Sequence, residues 1–155
     1  MSQGSLFGET RQPQSPSSDA VIANIDGGAR GNPGPAAYGV VVRNTKGEVL
    51  AELSEFLGLQ TNNYAEYSGL LAALEYAVQL KLPSLKIFSD SELLVRQMQG
   101  RYKVNNPTLQ ELFARAKSLA AKLKYFSIEH VLRERNKEAD RLVNKVLDER
   151  ASGRR

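Results

Sequence analysis

The sequence predicts an α/β fold in which helices flank one five-stranded mixed sheet. Three strand-like segments come first, joined largely by hairpins, and later apolar segments alternate with helical ones. Hairpins give antiparallel neighbours, whereas strands separated by helices pair in parallel through crossovers. The expected order is therefore β-β-β-α-β-α-α-β-α, with three antiparallel strands and two parallel ones.

Periodicity and end signals place each element. The strand segments read VIANID, AYGVVVRN, EVLAELSEFL, LKIFSD and YFSIEHVL, and helices are expected at about 63–80, 91–99, 107–123 and 136–150. Thr61 or Asn62 can cap the first helix, and Gly100 closes the second. Pro107 fits the first turn of the third helix.

Length and composition predict one domain between two tails. The 155 residues suffice for a single core. Residues 1–19 are dominated by Ser, Gln, Gly and Pro, so they bury too little surface to offset their ordering entropy and are expected to be disordered. Residues 151–155 are expected to form a short basic tail. The ordered domain is expected at 20–150.

Charge and residue usage exclude several kinds of protein. Lys and Arg total 21 against 17 Asp and Glu, and the resulting net charge of +4 is compatible with an anionic partner. The absence of cysteine excludes disulfides and thiolate metal sites. Because no apolar stretch is long enough for a membrane span and no signal-peptide pattern occurs, we expect a monomeric cytoplasmic protein without a membrane partner.

Four acidic residues occupy positions where apolar or structural residues are normally expected. Asp26 and Asp90 close two strand segments, and Glu66 and Asp140 lie within helical ones. Ligands of open α/β sheets bind at the carboxyl ends of strands. A buried carboxylate is costly unless it is paired or bound to a metal. The four acids together therefore predict a site for divalent cations.

Each acid also has a structural interpretation. Asp90 could cap the following helix, and Asp140 could be an exposed first-turn acid stabilised by the helix dipole. Glu66 is harder to explain in this way, because helical spacing aligns it with Leu70 and Ala73, which would then face water. The joint pattern favours a metal site.

Four segments resemble the blocks of type 1 ribonuclease H. They read IDGGARGNPGPAAYGVV, TNNYAEYSGLLAAL, LKIFSDSELLVRQMQG and RERNKEADRLVN, in order over about residues 20–150. The resemblance implies a ribonuclease H-like fold and an endonuclease that hydrolyses the RNA strand of RNA/DNA hybrids, leaving 3′-hydroxyl and 5′-phosphate ends. It also implies that Asp26, Glu66, Asp90 and Asp140 are catalytic and hold two Mg²⁺ ions, for which Mn²⁺ could substitute.

Two magnesium ions suit phosphodiester hydrolysis. The reaction needs an activated water, a stabilised pentavalent phosphorus and a stabilised leaving oxygen, and two ions about 3.5–4 Å apart can supply all three. Mg²⁺ prefers carboxylate oxygens and water as ligands. In the family pattern that the chain resembles, Asp26 bridges both ions. Glu66 and Asp90 bind one ion, and Asp140 binds the other.

Neighbouring residues are candidates for substrate binding. Gly27 and Gly28 leave the backbone open to a sugar-phosphate chain, although a glycine-rich turn explains either one equally well. Asn32 carries an amide suited to 2′-OH groups and minor-groove edges, which separate RNA from DNA. By resemblance Asn62 and Asn63 contact the minor groove, although Asn62 could equally be a helix cap.

By the same resemblance, Thr61 lies near a DNA-strand phosphate. The chain also departs from many relatives, which place a histidine in the loop before the last acid, where Arg133 or Glu134 lies here. The only histidine, His130, falls within a strand, and a partly buried structural position is favoured for it. The missing histidine puts turnover and metal preference in question, but not hydrolysis.

A second departure is the short segment RYKVNNP, where several relatives insert a basic helical handle. Its absence predicts fewer phosphate contacts and a shallower salt dependence. Handle-less relatives include enzymes of broadened range, so cleavage of double-stranded RNA or of RNA-DNA junctions is an open alternative. A non-catalytic hybrid-binding module would gain nothing from four carboxylates where phosphate must approach. A junction resolvase or transposase is disfavoured by the TNN block and the glycine-rich stretch.

The N-terminal peptide Gln3-Gly4-Ser5-Leu6-Phe7 resembles the Gln-x-x-Leu-Phe motif by which bacterial replication and repair proteins bind the sliding clamp. Its two adjacent hydrophobic residues could anchor in a groove, although so short a motif also arises by chance. If the motif is used, Leu6→Ala/Phe7→Ala will lose affinity for the clamp in a direct binding assay. Equal affinity of the variant and the intact protein would remove the idea.

Overall fold

The computed structural model of the chain describes residues 20–153. Its strands are β1 (Ala20–Ala29), β2 (Gly34–Asn44), β3 (Val49–Gln60), β4 (Ser84–Ser89) and β5 (Tyr125–His130). Its helices are α1 (Asn62–Gln79), α2 (Glu92–Met98), α3 (Pro107–Ala120) and α4 (Lys137–Ala151), and a 3-10 turn at Arg133–Arg135 precedes α4. The predicted clamp-like residues Gln3, Leu6 and Phe7, and the predicted disordered segment 1–19 that contains them, lie outside the described residues.

The sheet confirms the predicted fold class. The strand order is β3-β2-β1-β4-β5. The β1–β2 and β2–β3 pairs are antiparallel, and β1–β4 and β4–β5 are parallel. Within the described part of the chain, no helix is long and apolar enough to cross a membrane.

Some element boundaries differ from the prediction. The first strand was expected to end at Asp26, but β1 continues to Ala29, because its small residues stay paired with β2 as far as Ala29 opposite Ala36. Asp26 therefore lies inside β1, one residue beyond the end of its parallel pairing with β4. The third helix ends at Ala120 rather than 123, and α4 reaches Ala151, one residue into the predicted tail.

Helices cover both faces of the sheet. Side chains alternate along β2, so that Val40 and Val42 lie in the main core with α1, whereas Ala37 packs with Val143 and Leu147 of α4 on the other face. The main core also takes in residues of α2 and α3. The sheet is therefore sandwiched between α1 and α4.

Two glycines allow these helices to approach Asp26 closely. A Cβ on Gly27 would lie 2.3 Å from the carbonyl group of Ala65 in α1. Gly39 is the β2 partner of Asp26, and a Cβ there would lie 2.6 Å from the carbonyl oxygen of Ala139 in α4. Because neighbouring strand residues point to opposite faces, α1 and α4 reach Asp26 from opposite sides of the sheet.

We predict that Gly27→Ala destabilises the fold by about 1–3 kcal/mol, because its methyl group would meet helix backbone that cannot move aside cheaply. Gly28→Ala is the matched control, since the nearest atom to a Cβ there is 3.9 Å away. Urea unfolding measures both variants. Equal unfolding free energies would contradict the close packing of α1 on β1.

Candidate metal centre

Three of the predicted acids converge at the end of the parallel half of the sheet. Asp26 and Asp90 each follow the last residue pair of β1 and β4, Ile25 opposite Ser89. Glu66 comes from the second turn of α1. One carboxylate oxygen from each of the three acids lies within 4.8 Å of the others. The spacing is short enough for all three to contact one metal ion.

The fourth predicted acid adjoins this group. Asp140, half-buried in the first turn of α4, lines the same cavity as Asp26, Glu66 and Asp90. Its charge, and a hydrogen bond that protonated Asp26 donates to its carboxylate, both raise the pKa of the Asp26 carboxyl group. Asp26 thus interacts with both Asp90 and Asp140.

Burial makes the cluster costly when it is ionised. Burial raises the pKa of Asp26 to about 8, with further increases from Asp90 and Asp140 and a decrease from the backbone N–H of Gly27. Burial also raises the pKa of Glu66 well above its usual range, and the charges of Asp26 and Asp90 raise it further. These carboxylates need positive charge to stay ionised at neutral pH.

One oxygen of the cluster is without a hydrogen-bond partner. Glu66 Oε1 is buried and accepts no hydrogen bond within the described residues. An unsatisfied buried carboxylate oxygen is costly, whereas coordination to a cation would satisfy it. Since all the donors are carboxylate oxygens, the site fits a hard divalent cation.

Arg133 supplies positive charge to the cavity. It lines the cavity with the four acids, and its attraction lowers the pKa of Glu66 in part. The place of the missing loop histidine was expected to fall to Arg133 or Glu134, and the structure places Arg133 in the cavity. His130, expected to be partly buried, is exposed, because it lies at the end of the edge strand β5.

Ser91, not Asp90, caps the helix that follows Asp90. Ser91 caps α2, and its Oγ accepts a hydrogen bond from the Leu94 N–H at 3.2 Å. Thr61 likewise caps α1 by accepting a hydrogen bond from the Tyr64 N–H at 3.1 Å. The structural interpretation of Asp90 as a helix cap was therefore wrong.

The predicted substrate-binding asparagines lie beside the cavity. Asn62 Oδ1 accepts a hydrogen bond from the Ala29 N–H at 2.8 Å, and the Asn62 N–H donates to Asn32 Oδ1 at 2.9 Å. These two contacts tie the β1–β2 loop to the start of α1. Asn62 also lines the cavity, and Asn63 is exposed next to it.

Gly27 and Gly28 differ in their surroundings. Gly27 packs against the backbone of α1, so the fold itself requires glycine there. Gly28 also lines the cavity, and a Cβ there would meet only the ends of the Val143 and Asn62 side chains, at 3.9 and 4.0 Å. A role for either residue in substrate binding stays a prediction.

Asn136 is a residue of the site that the sequence analysis did not single out. It is 1% exposed, donates a hydrogen bond to the Ile25 carbonyl at 2.8 Å and accepts one from Asn24 Nδ2 at 3.0 Å. Because Ile25 precedes Asp26 and Asn136 lies one turn before Asp140, these bonds hold the two acids together. Its position at a helix start was a signal, but one that indicates a cap.

Comparison with known proteins identifies similar chains. A family model described as reverse transcriptase-like matches residues 24–146. The bifunctional protein Rv2228c of Mycobacterium tuberculosis is 46% identical over 129 residues, which cover 83% of this chain and 35% of that protein. Ribonuclease HI of Halobacterium salinarum is 41% identical over 129 residues, covering 83% of this chain and 65% of that protein. This chain thus spans about one third to two thirds of the length of these relatives.

Solved structures of RNase H proteins also superpose on this chain. The N-terminal RNase H domain of Rv2228c superposes with a TM-score of 0.83 at 45% identity, covering 86% of this chain and 97% of that chain. LC11-RNase H1, solved in complex with an RNA/DNA hybrid, superposes with a TM-score of 0.79 at 44% identity, covering 84% of this chain and 99% of that chain.

Without divalent cations, Asp26 should make the fold less stable as the pH rises from about 4 to about 8. In that range its raised pKa means that the folded state binds more protons than the unfolded chain, so raising the pH favours unfolding. Asp26→Asn should therefore gain stability relative to the natural chain across this window, by at most about 6 kcal/mol at about 1.4 kcal/mol per pKa unit. Chemical unfolding in EDTA at several pH values measures the difference.

Glu111→Gln is the control for this experiment, because Glu111 is an exposed carboxylate on α3. Adding Mg²⁺ or Mn²⁺ at pH 8 should stabilise the natural chain and this control, but not Asp26→Asn. A pH-independent difference between Asp26→Asn and the natural chain would contradict the raised pKa.

Proposed function

The chain belongs to the type 1 ribonuclease H family, and we propose on that basis that it hydrolyses the RNA strand of RNA/DNA hybrids. The reaction would be two-metal-ion phosphodiester hydrolysis that leaves 3′-hydroxyl and 5′-phosphate ends. The observation that carries the proposal is the convergence of Asp26, Glu66 and Asp90 within 4.8 Å of one another, beside Asp140. The complex of LC11-RNase H1 with an RNA/DNA hybrid supports the choice of substrate.

The four acids would be the catalytic residues and would hold two Mg²⁺ ions, with Mn²⁺ as a substitute. Asp26 interacts with both Asp90 and Asp140, so it would be the ligand shared by the two ions. Glu66 and Asp90 would complete one ion site and Asp140 the other. When bound, the ions supply the charge that activates the attacking water and stabilises the leaving oxygen.

Protonation of the cluster is coupled to metal binding. Asp26 and Glu66 have raised pKa values, and a carboxyl group must lose its proton before it can act as a ligand. Binding of the ions at neutral pH would therefore release protons. While the ions are absent, the positive charge of Arg133 would partly stabilise the ionised form of Glu66.

The rim formed by β1 and α1 would read the substrate. Asn62 and Asn63 are exposed beside the cavity and would hydrogen-bond 2′-OH groups and minor-groove edges. Asn32 accepts a hydrogen bond from the Asn62 N–H. The Thr61 Oγ accepts the α1 capping bond, which leaves its O–H able to donate to a phosphate of the DNA strand. Gly28 would present backbone to the sugar-phosphate chain.

No specific contact favours the alternatives of a binding-only module or a broadened nuclease. A module that only binds the hybrid would bear the free-energy cost of burying the carboxylates without using them in catalysis. The broadened nuclease rests only on the short connection between α2 and α3, where the Gln97 side chain donates a hydrogen bond to the Lys103 carbonyl at 3.2 Å, and that contact says nothing about the substrate. Cleavage assays on RNA/DNA, RNA/RNA and DNA/DNA duplexes test both alternatives.

We predict that the intact protein with Mg²⁺ or Mn²⁺ cuts the RNA strand of a labelled RNA/DNA hybrid, and cuts RNA/RNA and DNA/DNA duplexes far less. Asp90→Asn should lower the cleavage rate at least about 100-fold, because loss of a metal ligand costs more than loss of a supporting contact.

Glu111→Gln should cut like the natural chain, since Glu111 is exposed on α3. Circular dichroism of Asp90→Asn would show whether its loss of activity reflects unfolding. Cleavage by folded Asp90→Asn at the natural rate would overturn the assignment of the site.

A further inference from the structure

A cationic groove continues from the metal-site cavity along the start of α4. It has a volume of about 630 Å³ and is lined by Arg133, Glu134, Lys137, Asp140, Arg141 and Asn144. Three of these residues, Arg133, Asp140 and Asn144, also line the cavity that holds the acids. A chain bound at the acids could therefore extend directly into the groove.

Two of the three cations of the groove, Lys137 and Arg141, have no carboxylate partner in the part of the chain that the structure describes, whereas the charge of Arg133 acts on Glu66. Arg133, Lys137 and Arg141 are exposed and form neither an ion pair nor a side-chain hydrogen bond with residues 20–153. Four other arginines do pair with carboxylates: Arg30, Arg43, Arg96 and Arg115. Lys137 and Arg141 thus carry positive charge that no carboxylate of the described residues pairs with.

The spacing of these cations matches a polyanionic strand. Lys137 and Arg141 are four residues apart on α4, so they share a face about 6 Å apart along the helix axis. Arg133 precedes Lys137 by the same number of residues, at the 3-10 turn. All three side chains line the groove together with Asp140, and a nucleic acid strand carries one negative charge per nucleotide.

We propose that Lys137 and Arg141 bind backbone phosphates of the cleaved strand next to the phosphate held at the acids. This inference rests on the proposed function and adds a phosphate-binding subsite to it. Specific contacts would act on one or two phosphates, whereas general attraction by a basic surface acts on all of them alike. The experiment must therefore resolve individual phosphates.

Neutral methylphosphonate linkages, placed one at a time in the RNA strand of a hybrid, resolve them. Each linkage follows a 2′-O-methyl sugar, and the matched reference strand carries that sugar with an ordinary phosphate. Binding is measured in the Asp90→Asn background so that the strand stays intact. The test variant is Lys137→Gln/Arg141→Gln, and the control is Lys122→Gln/Lys124→Gln, whose lysines are exposed just before β5, at the opposite end of the sheet from the acids.

The expected result is a coupling between variant and linkage. One or two neutral linkages next to the cut site should weaken binding about twofold to fivefold in the control, and not in Lys137→Gln/Arg141→Gln. The slope of log affinity against log salt concentration should be shallower by roughly 1.4–1.8 in that variant, for two lost contacts.

Two results would overturn the inference: binding by the variant that equals the control, or a loss that is the same at every linkage. Cleavage of the unmodified hybrid by the intact protein is measured in parallel. If the hybrid is cleaved but the linkage effect does not depend on Lys137 and Arg141, the phosphate subsite is rejected and the proposed function stands. If the linkage effect depends on them but no cleavage occurs, the proposed function is rejected and the groove remains a binding site.

Discussion

Burial of the Asp26 carboxylate among other carboxylates is the constraint on which the rest of the structure depends. Asp26 is 7% exposed. The parallel pairing of β1 with β4 places Asp90 beside it, and close helix approaches at two glycines bring in Glu66 and Asp140. The sheet register and the packing of the two helices therefore bring the four acids together.

This arrangement sets stability against function. The raised pKa values of Asp26 and Glu66 and the unsatisfied Glu66 Oε1 show that ionisation of the cluster is costly in the protein alone. Natural proteins commonly retain such costs at functional sites. A bound cation would offset the cost and link the stability of the fold to the same ions that the proposed reaction requires.

The fold and the acids could be predicted because both depend on local patterns. Strand and helix periodicity gave the element order, and the helical spacing of Glu66 with buried residues indicated its direction. What escaped prediction depends on long-range contacts. The hydrogen bond from Asn136 to Ile25 joins residues 111 positions apart. The pairing that extends β1 through its glycines, and the exposure of His130 on an edge strand, follow from neighbours that spacing alone does not reveal.

The central claim is that these carboxylates form a cage for a pair of divalent cations. Anomalous X-ray scattering from crystals grown with Mn²⁺ and an uncleavable RNA/DNA hybrid would locate the ions directly. We expect two peaks about 3.5–4 Å apart, both in contact with Asp26 and one also in contact with Glu66 and Asp90. An ordered hybrid with no peak within coordination distance of Asp26 would contradict the claim.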